Sequence, residues 1–298
     1  MDEIIEISNL TKHYGEIVAV NEVEFSVPRG EIFGYLGPNG AGKTTTIRMI
    51  MNFLTPTRGK IRVFGMDSSK EYLQIHKRIG YMNSDMKLYE DLTGSEMLLF
   101  LSNLRGVVDK NRVERLSEKL DIDLSLRIAN LSRGNKQKIA LIQAFMHRPE
   151  LVILDEPSNA LDPLMQQQFH EIVKQSVADG STVFLSSHIL PEVEALCDRV
   201  AIIKEGVLVA EERVDVLKKN SVQKFEIIFS VKPPENIFQQ VQGISNISID
   251  DRSVTCSIIG AIDPLIKEIA NFDVEAFKSF ETDLEDIFLS FYKGPGLK

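Results

Sequence analysis

GPNGAGKTT, Gly37 to Thr45, packs three glycines and a lysine into nine residues with no acid among them. The stretch before it, EIFGYLG (31 to 37), is an almost uninterrupted apolar run that predicts a buried strand, and a helical pattern follows from about Gly42 to Leu54. Strand, glycine loop and helix in that order fit the pattern G-x-x-x-x-G-K-[ST], here Gly37, Gly42, Lys43 and Thr44. Gly37, Gly40 and Gly42 let backbone N–H groups turn inward, and the helix start adds unpaired amides and the positive end of its dipole, so the loop suits a phosphate. Lys43 would contact β and γ phosphates and Thr44 would ligate Mg2+. First turns of helices favour acids, yet Lys43 to Arg48 holds none, as expected where a bound anion takes their place.

Working outward, further buried-strand runs are IGYM (79 to 82), LVILD (151 to 155), TVFLSS (182 to 187) and RVAIIK (199 to 204), with helical patterns between most of them. That alternation predicts an α/β parallel sheet with ligands at the carboxyl ends of its strands. Asp155 and Glu156 close one such strand in LVILDEP. Successive strand residues point to opposite faces, which gives the two carboxylates separate tasks: Asp155 in the magnesium shell, through water or directly, and Glu156 as general base toward the attacking water. His188 closes TVFLSSH at the same edge and could donate to a γ phosphate, although a histidine before the helix start Leu190-Pro191-Glu192 also reads as a surface or capping residue. Between Thr93 and Arg148 strands give way to helical patterns, beginning with the capping box Thr93 to Glu96, which reads as a helical subdomain over about 85–148.

The totals bound the class. The chain has 298 residues, 43% hydrophobic and 26% charged, enough for one large domain and a small one, and a formal charge of -9 argues against a nucleic-acid partner or direct adhesion to an anionic membrane. Apolar runs such as MLLFL (97 to 101) and VAII (200 to 203) fall far short of the roughly 20 residues of a membrane span. The acidic start MDEIIEISNL lacks the order of a secretory signal, so the expected place is the cytoplasm. Cys197 and Cys256 have no metal spacing and read as small buried hydrophobes.

LSRGNKQKIALIQAFMHRPELVILDEPSNALDP, residues 131 to 163, together with the glycine loop and His188, resembles the ATP-binding cassette (ABC) ATPases, and the similarity runs through about residues 3 to 220 with every motif in the family's order. The resemblance implies an α/β P-loop NTPase core with an antiparallel β subdomain and the inserted helical subdomain, binding ATP and Mg2+. It implies two cassettes packed head to tail, the second being another copy or a paralogue. Each ATP would lie between Gly37, Pro38, Asn39, Gly40, Ala41, Gly42, Lys43, Thr44 and Thr45 of one and Ser132, Gly134 and Asn135 of the other. Ser132 is independently a natural N-cap, and the first turn Arg133 to Gln137 again lacks acids. By the same matching Tyr14 stacks on adenine with Val20 nearby, and Asp162 is the cross-dimer aspartate, although Asp162-Pro163 also reads as an N-cap pair. The sequence departs from the family at Ser84, where glutamine is common as a magnesium ligand. A serine reaches less far, which favours a bridging water over direct contact. Arg133 and Asn135 replace the usual Gly and Gln, and Asn159 stands where many cassettes have serine.

ATP hydrolysis needs an output. The helical insert and Ser84 to Leu92 match the family's docking surface for a separate polytopic membrane subunit, with Met97, Leu98, Leu99 and Phe100 as candidate groove residues or helix core. LYEDLT and an ending like TDLEDIFLSFY resemble single cassettes of exporters, which implies a peripheral position on the cytoplasmic face of the cell membrane. A soluble ABC-type ATPase serving assembly or regulation is the other reading, and a phosphotransferase a third. The core is expected over 1–220. An accessory domain is expected over 221–298, where strands and helices alternate in the order of a ferredoxin-like α+β fold: KFEIIFSV, a helix at ENIFQQV, a strand pair carrying Ile247, Ile249, Val254, Cys256 and Ile258, and the helix of Leu265, Ile266 and Ile269. The last helix has its own capping box, Thr282 to Glu285, and an apolar stripe of Leu284, Ile287, Phe288 and Phe291.

Overall fold

The structure, a computed structural model, describes residues 2–84, 87–106, 109–159, 161–219, 222–234, 236–238 and 241–280. The expected capping box at Thr282 and the final apolar stripe lie outside the described residues. The chain divides into two compact units, Met1–Glu211 and Glu212–Lys298.

In the first unit, β1 (Glu3–Tyr14) and β2 (Ile17–Pro28) pair antiparallel, then β3 (Ile32–Leu36) runs into the glycine loop and α1 (Lys43–Ile50). β4 (Arg58–Val63) and β5 (Met66–Asp67) extend the antiparallel sheet in the order β2-β1-β4-β5. After α2 (Tyr72–Lys77) and β6 (Ile79–Met82) come the helices of the insert: α3 (Gly94–Arg105), α4 (Lys110–Lys119) and α5 (Arg133–Phe145). β7 (Leu151–Asp155), α6 (Pro163–Ala178), β8 (Thr182–Ser187), α7 (Leu190–Leu196), β9 (Arg199–Lys204) and β10 (Val207–Arg213) follow. The central sheet has the order β10-β9-β3-β8-β7-β6, with β9, β3, β8, β7 and β6 parallel. Its inner strands are buried on both faces, which explains why β3, β7 and β8 read as continuous apolar runs. Phe25, Phe33, Tyr35 and Phe184 stack between the two sheets with centroids 5.3 to 6.1 Å apart.

Local signals place the helix starts. Thr93 Oγ1 accepts from Glu96 N while Glu96 Oε2 accepts from Thr93 N at 2.8 Å, closing the capping box of α3. Ser132 caps α5 and Asp162 caps α6 with Pro163 in the first turn. The inner stripe of α5, Ile139, Ile142 and Met146, is buried. Of the run 97 to 100, Met97 and Leu98 are core, whereas Leu99 and Phe100 are exposed.

The second unit begins with α8 (Val214–Lys219) and holds β11 (Val222–Phe229), β12 (Ile244–Asp250), β13 (Ser253–Ile259), α9 (Asp263–Ile269) and β14 (Val274–Phe280). The sheet is antiparallel in the order β12-β13-β11-β14, the ferredoxin-like arrangement. Within 235–241 the described residues 236–238 form a turn, with Ile237 and Phe238 buried. Val254, Cys256 and Ile258 line the core as their alternation predicts. Ile247 departs from that pattern and is exposed, because a register shift between Ser245 and Ser248, with Asn246 at φ 52°, turns it away from the core. Ile266 is likewise exposed on α9, whose buried face is Leu265 and Ile269. Cys197 and Cys256 are free and buried.

One histidine ties the insert to the sheet. His147, just past α5, bonds Ile79 O at 3.1 Å through Nε2, and Arg105 Nη2 reaches the same carbonyl at 3.2 Å. Burial, and next the Arg105 charge, lower its pKa from 6.5 to about 4. The fold therefore favours the neutral ring. Its stabilisation is fully present above pH 6.5 and is lost as pH falls toward 4. His147→Gln keeps a donor for Ile79 O without titrating. Denaturant unfolding over this window should show the parent losing up to about 3 kcal/mol more than the variant, and parallel pH profiles would contradict the assignment.

Candidate functional site

The site forms at the carboxyl ends of β3, β7 and β8, where side chains leave the sheet together. At the end of β3 the chain must turn tightly enough for α1 to start over the strand. A Cβ at Gly37 would lie 2.4 Å from Ile203 O, and one at Gly42 2.6 Å from Ala19 O, with Gly42 itself at φ 106°. Only glycine fits either place. The result is a cavity of about 300 Å3 lined by Ala19, Asn39, Gly40, Gly42, Lys43, Thr44, Thr45, Ser84, Glu156 and Asn159.

Lys43 is buried, and its Nζ donates to Gly37 O at 2.6 Å and Pro38 O at 3.1 Å. Its counter-charge is Glu156, with Oε1 3.0 Å from Nζ. The other oxygen of that carboxylate, Oε2, lies 2.6 Å from Nδ1 of His188. Glu156 thus sits between a lysine and a histidine. Its backbone is in the left-handed region at φ 52°, a conformation that turns the side chain off the line of β7. His188 caps no helix: Ile189 is the N-cap of α7, without a side-chain cap.

Asp155, one residue earlier, points the other way and is fully buried. Thr44 Oγ1 donates to its Oδ2 at 2.8 Å, Ser84 Oγ to the same oxygen at 3.4 Å, and Ser186 Oγ to Oδ1 at 2.6 Å. Hydroxyls around one carboxylate form an all-oxygen donor set, the kind a hard cation such as Mg2+ takes while keeping its own water and substrate oxygens. Among the described residues no cluster of three or more His, Cys, Asp or Glu has metal-binding geometry.

Other expected site residues lie elsewhere. Ala41 is packed in the core, and its amide donates to Pro38 O at 3.2 Å, closing a turn. Val20 is also core, whereas the Tyr14 ring is exposed at the end of β1 with Lys12 Nζ 5.3 Å from its centroid. Neither Tyr14 nor Ser132, Gly134 and Asn135 at the start of α5 line the cavity. One residue that the sequence reading did not single out joins the site: Ser186 touches Asp155. Behind it, Ser187 Oγ is 2.5 Å from Glu192 Oε2, a carboxyl that burial pushes above its ordinary range. The signal that was available is the pair of serines closing TVFLSS beside the Asp-Glu pair of the neighbouring strand.

The ion pair gives a stability prediction. Glu156→Gln leaves Lys43 with two carbonyls and no compensating charge, so the nucleotide-free chain should lose about 1–3 kcal/mol, and millimolar ATP should restore more stability to the variant than to the parent. Thermal melts with and without ATP check this; equal shifts would mean that Glu156 does not neutralise Lys43.

Comparison with known proteins gives the family. Residues 20–159 match the ABC transporter family profile. The bacitracin transport ATP-binding protein BcrA of Enterococcus faecalis is 33% identical over 304 residues, covering 100% of this chain and 99% of that protein. A solved ATP-binding subunit of an ABC transporter is 32% identical with a TM-score of 0.67, over 72% of this chain and 92% of that one. The dimeric structure of a bacterial ABC transporter cassette shares the fold at 24% identity and a TM-score of 0.65, over 70% and 98% of the two chains. A full-length relative at this identity, on top of the glycine loop and its paired carboxylates, is decisive: the chain belongs to the ABC transporters, as an ATP-binding ATPase subunit.

Proposed function

We propose that the subunit hydrolyses ATP between two cassettes packed head to tail, with a second copy or a paralogue, and so drives export through a separate polytopic membrane subunit at the cytoplasmic face of the cell membrane. The observation that carries this reading is the division of the site. The loop, both carboxylates and His188 meet in and around one cavity, while the acid-free, Ser132-capped start of α5 stays outside it. A second cassette supplying that helix start would complete the phosphate contacts. Residues 1–220 are assigned to this cassette and 221–298 to an accessory domain.

The geometry suggests an order of events. A triphosphate entering over the loop presents Lys43 with a more highly charged anion than Glu156, and Lys43 turns to the β and γ oxygens. Glu156 loses its counter-ion but keeps its hold on His188, which fixes its orientation. Its freed carboxylate accepts a proton from water as the water oxygen bonds the γ phosphorus and the bond to the β–γ bridging oxygen breaks, releasing ADP and phosphate. Thr44 and Asp155, with Ser84 contributing through water, would hold Mg2+, which supplies positive charge against the phosphate oxygens. Ser132, Gly134 and Asn135 of the second cassette close on the same phosphate, and the Tyr14 ring offers a face for adenine.

Among the described residues no helix is long and apolar enough to cross a membrane; in this reading force passes to the separate membrane subunit. Exposed Leu99 and Phe100, the latter edge-on to exposed Tyr89 at 5.9 Å, support docking of that subunit on the insert. The full-length relative is named for bacitracin transport, which makes bacitracin the first cargo to test.

Glu156→Gln tests the reading. Hydrolysis should fall at least about 100-fold while ATP converts the variant to a dimer in light scattering, and tagged protein from membranes should bring down a polytopic partner. Turnover at the parent rate, or ATP without effect on mass, would overturn it.

A further inference from the structure

We propose that Ser186 is the positioning residue that holds Asp155 and Glu156 in their two different orientations, an inference resting on the roles proposed above for those carboxylates. In the parallel register of β7 and β8, Asp155 lies opposite Ser186. Ser186 is fully buried, and its Oγ donates to Asp155 Oδ1 at 2.6 Å, which leaves Oδ2 facing Thr44 at 2.8 Å and Ser84 at 3.4 Å. The same Oγ accepts from the backbone N of Glu156 at 3.2 Å, and that amide also reaches Ser186 O at 3.1 Å. Glu156 has a left-handed backbone at φ 52°, which a residue with a side chain adopts only when its surroundings hold it.

One hydroxyl carries one donor and two acceptor lone pairs, so it serves both neighbours at once. No adjacent side chain can replace it. Ser187 points to the opposite face of the strand, where its Oγ is engaged by Glu192 and by Ile189 N at 3.0 Å. His188, two residues past Ser186, holds Glu156 from the other side. The end of β8 therefore sets both the rotation of the Asp155 carboxylate and the direction in which Glu156 leaves its strand.

The test uses the full chain with Ser186→Ala and Ser186→Thr. Removing the oxygen should lower kcat and weaken Mn2+ binding to the ATP-loaded chain about 10- to 100-fold each, the usual effect of losing a residue that orients a ligand. Affinity for ATP in EDTA should stay at the parent value while the melting midpoint falls modestly, since a buried carboxylate loses a donor, and Ser186→Thr, which keeps the hydroxyl, should recover kcat, Mn2+ affinity and the midpoint. Parent-like kcat and Mn2+ affinity in Ser186→Ala would overturn the proposal. Equal loss of metal-free ATP affinity would also overturn it, since that is what a general structural defect produces. Failure of the hydrolytic reading is distinguishable, because it would show as turnover independent of Glu156, whereas the Mn2+ titration reads the oxygen cluster around Asp155 and does not depend on Glu156.

Discussion

A buried lysine must be neutralised, and the site is organised around that constraint. Lys43 lies under the glycine loop with two backbone carbonyls and Glu156 as its partners. Removing an ammonium from water costs several kcal/mol, which the pair offsets only with close geometry and full hydrogen bonding. The structure meets both conditions: three acceptors within 3.1 Å of Nζ, and the carboxylate's second oxygen held by His188. Such a pair contributes little net stability, but it is readily exchanged for a more highly charged anion. In the proposed cycle that exchange couples binding to chemistry, since the group that releases Lys43 is the one proposed to activate water.

The rest of the core places this pair. Five parallel strands bring Gly37, Asp155, Glu156 and His188 to one edge, and their order in the sheet, with β3 next to β8 and β8 next to β7, sets which residues can touch. β8 lies between the glycine loop and the carboxylates, and its last residues contact both: Ser187 O accepts from Gly37 N at 3.2 Å, and Ser186 reaches Asp155. The helical insert adds the Ser132-capped, acid-free start of α5, which lies outside the cavity and is proposed to meet the phosphate held by a second cassette.

How much of this was legible depends on how local each feature is. GPNGAGKTT, the Thr93 capping box and the apolar strands could be read directly, because glycine turns, N-caps and buried strands draw on neighbours within a few residues. The ferredoxin-like order of the second unit was legible in the same way. The left-handed backbone of Glu156 was not, since it follows from the pairing of β7 with a strand some thirty residues away. Ser186 read as an ordinary strand residue for the same reason, and Ile247 was grouped with Ile249, Val254, Cys256 and Ile258 because alternation carries no mark of the register shift at Asn246. The grip of Lys43 and His188 on a single carboxylate likewise needs three strands to be in place.

The account rests on one exchange: the ammonium held by Glu156 passes to the phosphate tail of a nucleotide. Equilibrium binding of ATP to the full chain, compared with Lys43→Ala, tests it most directly. The parent should bind ATP and the variant should have no measurable affinity while keeping its fold. A parent that does not bind ATP, or a Lys43→Ala chain that binds it as tightly, would contradict the account.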